Sequence, residues 1–151
     1  MIRLGLDLHG VIDKDPEFFS ELAQHMIPRG HEIYVVTGRE DTEDLHDELK
    51  ACGMEGVAHK NYTRILSITN YQKKLGTPIS YLDDRKSQPI MDPAIWNPTK
   101  AALCATAGID IMVDDSSIYG KYFLDVKTQY LQYTPGVREF LMILFNYNEE
   151  D

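Results

Sequence analysis

Basic residues are scarce in this chain of 151 residues: 15 Lys and Arg stand against 24 Asp and Glu, a formal net charge of −9. So acidic a protein is unsuited to tracking a phosphate backbone or docking on an anionic membrane, and general nucleic-acid binding is not expected. Long apolar runs are missing too. The longest, Phe140 to Phe145, is far too short to span a bilayer, so no membrane partner is expected. Cysteine is reduced to Cys52 and Cys104, at no metal-binding spacing, which excludes a disulfide framework and points to a reducing compartment. Ten Gly and seven Pro are too few for a low-complexity chain. The opening Met-Ile-Arg-Leu-Gly-Leu-Asp sets a carboxylate where a signal peptide needs apolar residues, so a cytoplasmic location is expected. What is present is ordinary globular material, 43% hydrophobic and 26% charged, of a length that suits a single domain over 1–151. A chain of this size buries roughly 68 to 70% of its unfolded surface and holds a core without staples.

The pattern alternates strands and helices. Ile2 to Leu6 reads as a strand running into Asp7 and the turn signal His9-Gly10. Asp15-Pro16 opens a helix carrying Phe18, Phe19, Leu22, Ala23, Met26 and Ile27 at helical spacing, stopped by Pro28 and Gly30. Ile33 to Val36 is a buried strand ending at Thr37-Gly38, and Thr42 to Cys52 a second helix closed by Gly53. The stretch from 53 to 97 is heavily punctuated. It reads as a strand at Arg64 to Ile68, a short helix at Thr69 to Leu75, and a hairpin pairing Ile79 to Leu82 with Pro89 to Met91. A small lid over about 53–97 fits it. Asn97 and Pro98 then read as cap and first residue of a helix ending at Gly108, followed by a strand from Ile109 to Val113 that meets Asp114-Asp115. Tyr130 to Tyr133 closes the strands, and Pro135 to Tyr147 is a last helix with a stripe at Val137, Phe140, Leu141 and Leu144. Right-handed crossovers then imply an α/β, three-layer, Rossmann-like domain with a parallel sheet of about five strands and ligands at the strands' carboxyl ends.

Four features gather on that edge: Asp7, Thr37, the Asp114-Asp115 pair, and Lys100 near the start of the helix feeding the last of these. Carboxylates converging from different strands repel unless a cation lies between them, and hard oxygen ligands with open positions suit Mg²⁺. Such an ion, with Lys100 and the Thr37 hydroxyl, can share the charge of a phosphoryl group, and an Asp beside it is a competent nucleophile toward phosphorus.

The ordered segments Leu4-Gly-Leu-Asp7-Leu-His-Gly-Val-Ile-Asp13, Val35-Val-Thr37-Gly-Arg39, Lys100 and Ile111-Met-Val-Asp114-Asp115 resemble the four motifs of the haloacid dehalogenase superfamily of Mg²⁺-dependent phosphatases. A phosphoacceptor receiver domain would carry its acidic pair first; here the pair comes last. The resemblance implies a HAD-like fold, hydrolysis of a small phosphomonoester, and Mg²⁺ as cofactor. It implies Asp7 as nucleophile, Thr37 and the Gly38 amide as phosphoryl-binding groups, and Lys100 steadying both. Metal ligation would fall to Asp7, Asp115 and the backbone carbonyl of His9, with Asp114 either a further ligand or a support behind the ligands. The acidic-pair ending is similar to that of the superfamily's nucleotidase branch and hints at a nucleotide substrate.

One position departs from the family. Its usual second Asp, the acid/base two residues after the nucleophile, is His9 here. An imidazole, whose reference pKa of about 6.5 lies near neutrality, can do both jobs, yet a neighbouring Mg²⁺ disfavours the imidazolium. Three outcomes stay open: a phosphatase with a histidine acid/base, a slow enzyme limited to good leaving groups, or a weak or inactive metal- and phosphate-binding protein.

Other candidates have plainer readings. Asp83-Asp84-Arg85 reads as a hairpin tip, Arg39 as a group that reaches a phosphate or, more simply, as one half of a surface ion pair with Glu40 or Glu43, and His25, His31, His46 and His59 as surface or satisfied polar residues. Trp96 with Tyr62, Tyr71 and Tyr81 reads as core packing or as a lid that stacks a base. Ser116 and Ser117 finish the metal loop, and the Glu149-Glu150-Asp151 tail is a solvated end.

Overall fold

The computed structural model describes residues 1–56 and 60–149. Its centre is a five-stranded, all-parallel sheet in the order β3-β2-β1-β6-β7. The strands are β1 (Arg3–Leu6), β2 (Glu32–Thr37), β3 (Arg64–Ser67), β6 (Ile111–Asp114) and β7 (Gln129–Gln132), while β4 (Ser80–Tyr81) and β5 (Pro89–Ile90) form a separate antiparallel hairpin. The helices are α1 (Pro16–Met26), α2 (Glu43–Ala51), α3 (Ile68–Lys74), α4 (Pro93–Ala107) and α5 (Pro135–Leu144). This is the α/β, Rossmann-like three-layer architecture read from the alternation of strands and helices.

Both sheet faces are covered, which is why the inner strands are continuously apolar. Leu4, Leu6, Ile33, Val35 and Val113 face the larger core with Phe18, Phe19 and Leu22 of α1, Leu45 and Leu49 of α2, and Leu141 of α5. Tyr34, Val36, Leu66 and Met112 face the other core with Ala101 and Cys104 of α4 and Phe123. Gly5 lies in the middle of β1 because a Cβ there would stand 2.8 Å from Met112 Sδ. Among the described residues no helix is long and apolar enough to cross a membrane.

Several local expectations need correction. Asn97 does not cap α4 and Pro98 is not its first residue. The helix starts a turn earlier at Pro93, with the Asp92 carboxylate accepting from the Ala94 N–H at 2.9 Å and Pro98 inside the helix. Asp92-Pro93 and Asn97-Pro98 carry the same start signal; the earlier one wins because the Ile95 and Trp96 N–H groups both reach the Asp92 carbonyl at 2.9 Å. Pro98 removes one main-chain hydrogen bond in exchange. Asp15 precedes α1, but its carboxylate takes Arg138 rather than a helix N–H. On α5 only a narrow stripe is inside: Leu141 is buried and Val137 partly so, whereas Phe140 and Leu144 are 46% and 37% exposed. One row of α5 side chains therefore meets the larger core.

The stretch expected as a lid divides in two. β3 joins the main sheet and α3 packs against α4, so both belong to the body. Among the described residues of that stretch the hairpin from Ser80 to Ile90 is left as a small flap, while 57–59 lie outside the described residues.

Candidate active site

The strand order places β1 between β2 and β6, where the chain's direction of winding reverses, and a crevice opens at the carboxyl ends there. Because Leu6 pairs with Val113 in parallel register, β1 and β6 finish side by side. Asp7 follows β1 directly, its N–H donating to the Val113 carbonyl at 3.0 Å, and Asp114 is the last residue of β6. One carboxylate oxygen from each of Asp7, Asp114 and Asp115 lies within 4.8 Å of the others. Gly10 makes this approach possible. Its φ is +88°, and a Cβ on it would fall 2.0 Å from Asp115 Oδ2.

Lys100 reaches the trio from α4. It does not open that helix, as the sequence suggested, but lies two turns in and is buried. Its ammonium stands 3.1 Å from Asp7 Oδ1 and 2.5 Å from Asp114 Oδ2. Burial lowers the Lys100 pKa, but the two carboxylates outweigh it and the net shift is upward. Burial pushes Asp7 up to about 7, with Lys100 pulling it down and Asp114 adding to the rise. Asp115 is raised by burial and by Asp114. Among the described residues three carboxylates stand against one ammonium, and hard oxygen donors at this spacing fit a divalent cation.

The expected phosphoryl-binding loop flanks the trio. Thr37 ends β2, and its Oγ1 accepts from the Arg39 N–H at 3.2 Å. Two hydroxyls pin the loop from behind: Thr69 donates to the Gly38 carbonyl at 2.6 Å and Ser67 to the Arg39 carbonyl at 2.5 Å. Gly38 has no room for a side chain, since a Cβ would meet the Trp96 ring at 2.3 Å. Trp96 therefore walls the crevice, its Nε1–H donating to the Tyr119 hydroxyl at 2.8 Å, and Ser87 and Pro89 of the hairpin edge the mouth. The crevice is open and has a volume of about 320 Å³, toward the small end of ligand sites. Broader hollows of about 810 Å³ by α2 and 820 Å³ by α5 lack the acidic trio, so chemistry rather than size singles out the crevice.

His9 stands at the crevice with its side chain 56% exposed. Its Nδ1 is 3.3 Å from Asp13 Oδ2 and its Nε2 is 3.6 Å from Glu48 Oε2. Asp13 also accepts from the Gly10 N–H at 2.7 Å, tying the turn after Asp7. Ser116 does the same for the other loop, its N–H donating to Asp114 Oδ1 at 3.0 Å.

Arg39 overturns its expected place in a surface pair with Glu40 or Glu43. It is buried, bonded through Nη1 to Glu48, and its Nε has no hydrogen-bond partner among the described residues. Glu40 faces elsewhere, holding Lys73 at 2.5 Å, the Tyr81 hydroxyl at 3.1 Å and Lys86 at 3.6 Å. Of the aromatic set, only Trp96 faces the crevice: Tyr62 is in the core, Tyr71 is exposed, and Tyr81 is engaged by Glu40. Asp83 binds the Ser87 and Gln88 N–H groups at 3.0 and 3.2 Å, as a hairpin tip should. His25, His31 and His46 each have a polar partner, at 2.9, 3.0 and 2.6 Å, and His59 lies outside the described residues.

Sequence reading missed Glu48, Ser67, Thr69 and Tyr119, and favoured the surface for Arg39. Only Ser67 left a signal, as an N-cap, accepting from the Asn70 N–H at 3.0 Å.

No family model matches the chain, and no curated protein matches it. Among solved structures, the chain is similar to an uncharacterized protein from Corynebacterium glutamicum ATCC 13032 Kitasato, known from a crystal structure at 1.44 Å resolution. The two share 16% sequence identity and a TM-score of 0.60, over 100% of this chain and 99% of that one. At that identity the likeness is one of fold.

Proposed function

We propose that this protein is a Mg²⁺-dependent phosphomonoester hydrolase of the haloacid dehalogenase type, acting on small phosphorylated molecules, nucleotides among them, through an aspartyl-phosphate on Asp7. The observation that carries this reading is the meeting of Asp7, Asp114 and Asp115 within 4.8 Å, with Lys100 3.1 Å from Asp7 and the Thr37-Gly38 loop alongside. Bound between those carboxylates, Mg²⁺ would supply charge neutralisation for the transferring phosphoryl group.

In the reaction, an Asp7 carboxylate oxygen attacks phosphorus while the bond to the leaving oxygen breaks and takes the electron pair. Lys100, the Thr37 hydroxyl and the Gly38 N–H hold the equatorial oxygens. His9 gives a proton to the leaving oxygen, then takes one from the water that cleaves the phosphorus–oxygen bond and restores Asp7. Hydrolysis of 4-nitrophenyl phosphate with and without chelator tests the reading. Expected are activity that chelation removes and its loss in Asp7→Asn; activity indifferent to both defeats it.

A second reading has its own observation. The His9 ring has a carboxylate near each nitrogen, Asp13 at 3.3 Å and Glu48 at 3.6 Å, and must leave them to serve a leaving group. A metal- and phosphate-binding protein with little turnover accounts for that. The variant His9→Asp separates the two: a gain of tenfold or more in rate marks the acid/base position as limiting, within the 10² to 10⁴-fold such groups contribute.

A further inference from the structure

We infer that Arg39 is a second anion-binding group of this crevice, and that the preferred phosphomonoester carries an additional carboxylate or phosphate, which displaces Glu48 from the guanidinium. The inference rests on the phosphoester reading of the site and extends it to the class of substrate.

Arg39 lines the crevice with Thr37, Gly38 and Lys100. Lys100 stands beside Asp7 and Asp114, at 3.1 and 2.5 Å, where it serves the transferring phosphoryl group rather than a second anion. Arg39 is held differently. Its main chain is fixed on both sides, the N–H to Thr37 Oγ1 at 3.2 Å and the carbonyl to Ser67 Oγ at 2.5 Å, so the side chain starts from a point set relative to the phosphoryl loop. Yet the guanidinium is underused: 95% of the residue is buried, and Nε has no hydrogen-bond partner among the described residues. A buried donor left unpaired has lost its water without a replacement, an arrangement that calls for a reason.

The carboxylate that does hold Arg39 is exchangeable. Glu48, on α2, has a side chain 47% exposed, and its Oε2 also lies 3.6 Å from His9 Nε2. On release it returns to water at little cost, whereas Arg39 stays in the crevice. Guanidinium presents a planar fork that takes carboxylate or phosphate through two parallel bonds, and Nε with one Nη forms one such edge. The crevice of about 320 Å³ fits a small ligand with two acidic ends better than a long one.

The test compares two probes that differ at one end, 3-phosphoglycerate and glycerol 3-phosphate, in hydrolysis and in calorimetric binding with Mg²⁺ present. Wild type is expected to favour the carboxylate-bearing probe at least tenfold in kcat/KM and in affinity. Arg39→Met removes the preference between the two probes, and Arg39→Lys keeps part of it. Glu48→Gln keeps Arg39 and frees it, so the preference rises; a fall overturns the inference even if Arg39→Met proves unstable. Equal handling of the two probes by wild type also overturns it, and leaves the phosphatase reading standing if both are hydrolysed. Absence of hydrolysis defeats the phosphatase reading, and calorimetry then decides the inference by itself: a tenfold affinity difference lost in Arg39→Met supports it, and none overturns it.

Discussion

The ammonium of Lys100 stands 3.1 Å from Asp7 Oδ1, with both residues buried at the meeting of α4 and β1. A buried cation in contact with a raised carboxylate makes the crevice a place where electrostatics and stability are tied, and where both can be measured.

Removing the cation exposes that tie. Lys100→Met leaves Asp7 and Asp114 buried without their counter-charge, and breaking such a group costs about 3 to 5 kcal/mol. The deficit relative to wild type should be largest at pH 7.5 and shrink toward pH 5, where Asp7 is protonated in the folded protein. Urea unfolding at the two pH values measures it; a deficit that grows on acidification contradicts the assignment.

Asp7→Asn should act in the opposite direction in metal-free protein. The folded value of about 7 lies above the reference 3.8, so Asp7 favours the folded state below 3.8 and this contribution is lost as pH rises through 7. The substitution removes that loss, and the melting temperature should rise more at pH 8 than at pH 4, by the equivalent of a few kcal/mol at most. Added Mg²⁺ should reverse the ranking. At 100 times its Kd a bound ion stabilises by about 2.7 kcal/mol, in wild type far more than in Asp7→Asn or Asp115→Asn. Equal Mg²⁺ shifts in all three would show that these carboxylates hold no ion.

Gly10→Ala is the smallest change that should dismantle the trio. It combines a φ of +88° with a Cβ 2.0 Å from Asp115 Oδ2, so both the turn and the carboxylate must move. We expect a loss of about 1 to 3 kcal/mol and disappearance of the Mg²⁺-dependent melting shift. Gly30→Ala, also at φ +88° but with nothing within 4 Å of its Cβ, controls for backbone strain alone and should keep the shift.

Glu40→Gln should loosen the flap rather than the body. Burial raises the Glu40 pKa, but hydrogen bonds from Lys73 and Tyr81 outweigh it and the net shift is downward. Its contribution is therefore present above 4.5 and lost as pH falls through the lower folded value. The variant should be cut several-fold faster by trypsin after Arg85 or Lys86 at pH 7.5, read by mass spectrometry, with a melting temperature close to wild type. Unchanged cleavage would mean that Glu40 does not hold the hairpin.

The ends of β1, β2 and β6 were legible because each strand is an apolar run that stops at a polar residue. A run of that kind in an α/β alternation puts its last residue on the sheet's carboxyl edge. Asp7, Thr37 and Asp114-Asp115 needed no more than that. Lys100 was legible as a member of the constellation but not as a buried residue, because the start of α4 is signalled twice, at Asp92-Pro93 and at Asn97-Pro98, and local chemistry does not rank the two. Arg39 was misjudged for a related reason: a charged residue after a strand is ordinarily solvated, and its burial depends on where α2 lays Glu48.

Periodicity and punctuation along the chain were enough to define the architecture and the edge where the polar residues collect, since both follow from contacts within a few residues of each other. Folding in three dimensions settled which charges lost their water. The approach of α4 buries Lys100 between two carboxylates, the packing of Trp96 on Gly38 walls the crevice, and Glu48 alone bonds Arg39 through its guanidinium among the described residues. Those outcomes rest on desolvation and on contacts between distant segments, which no local pattern encodes.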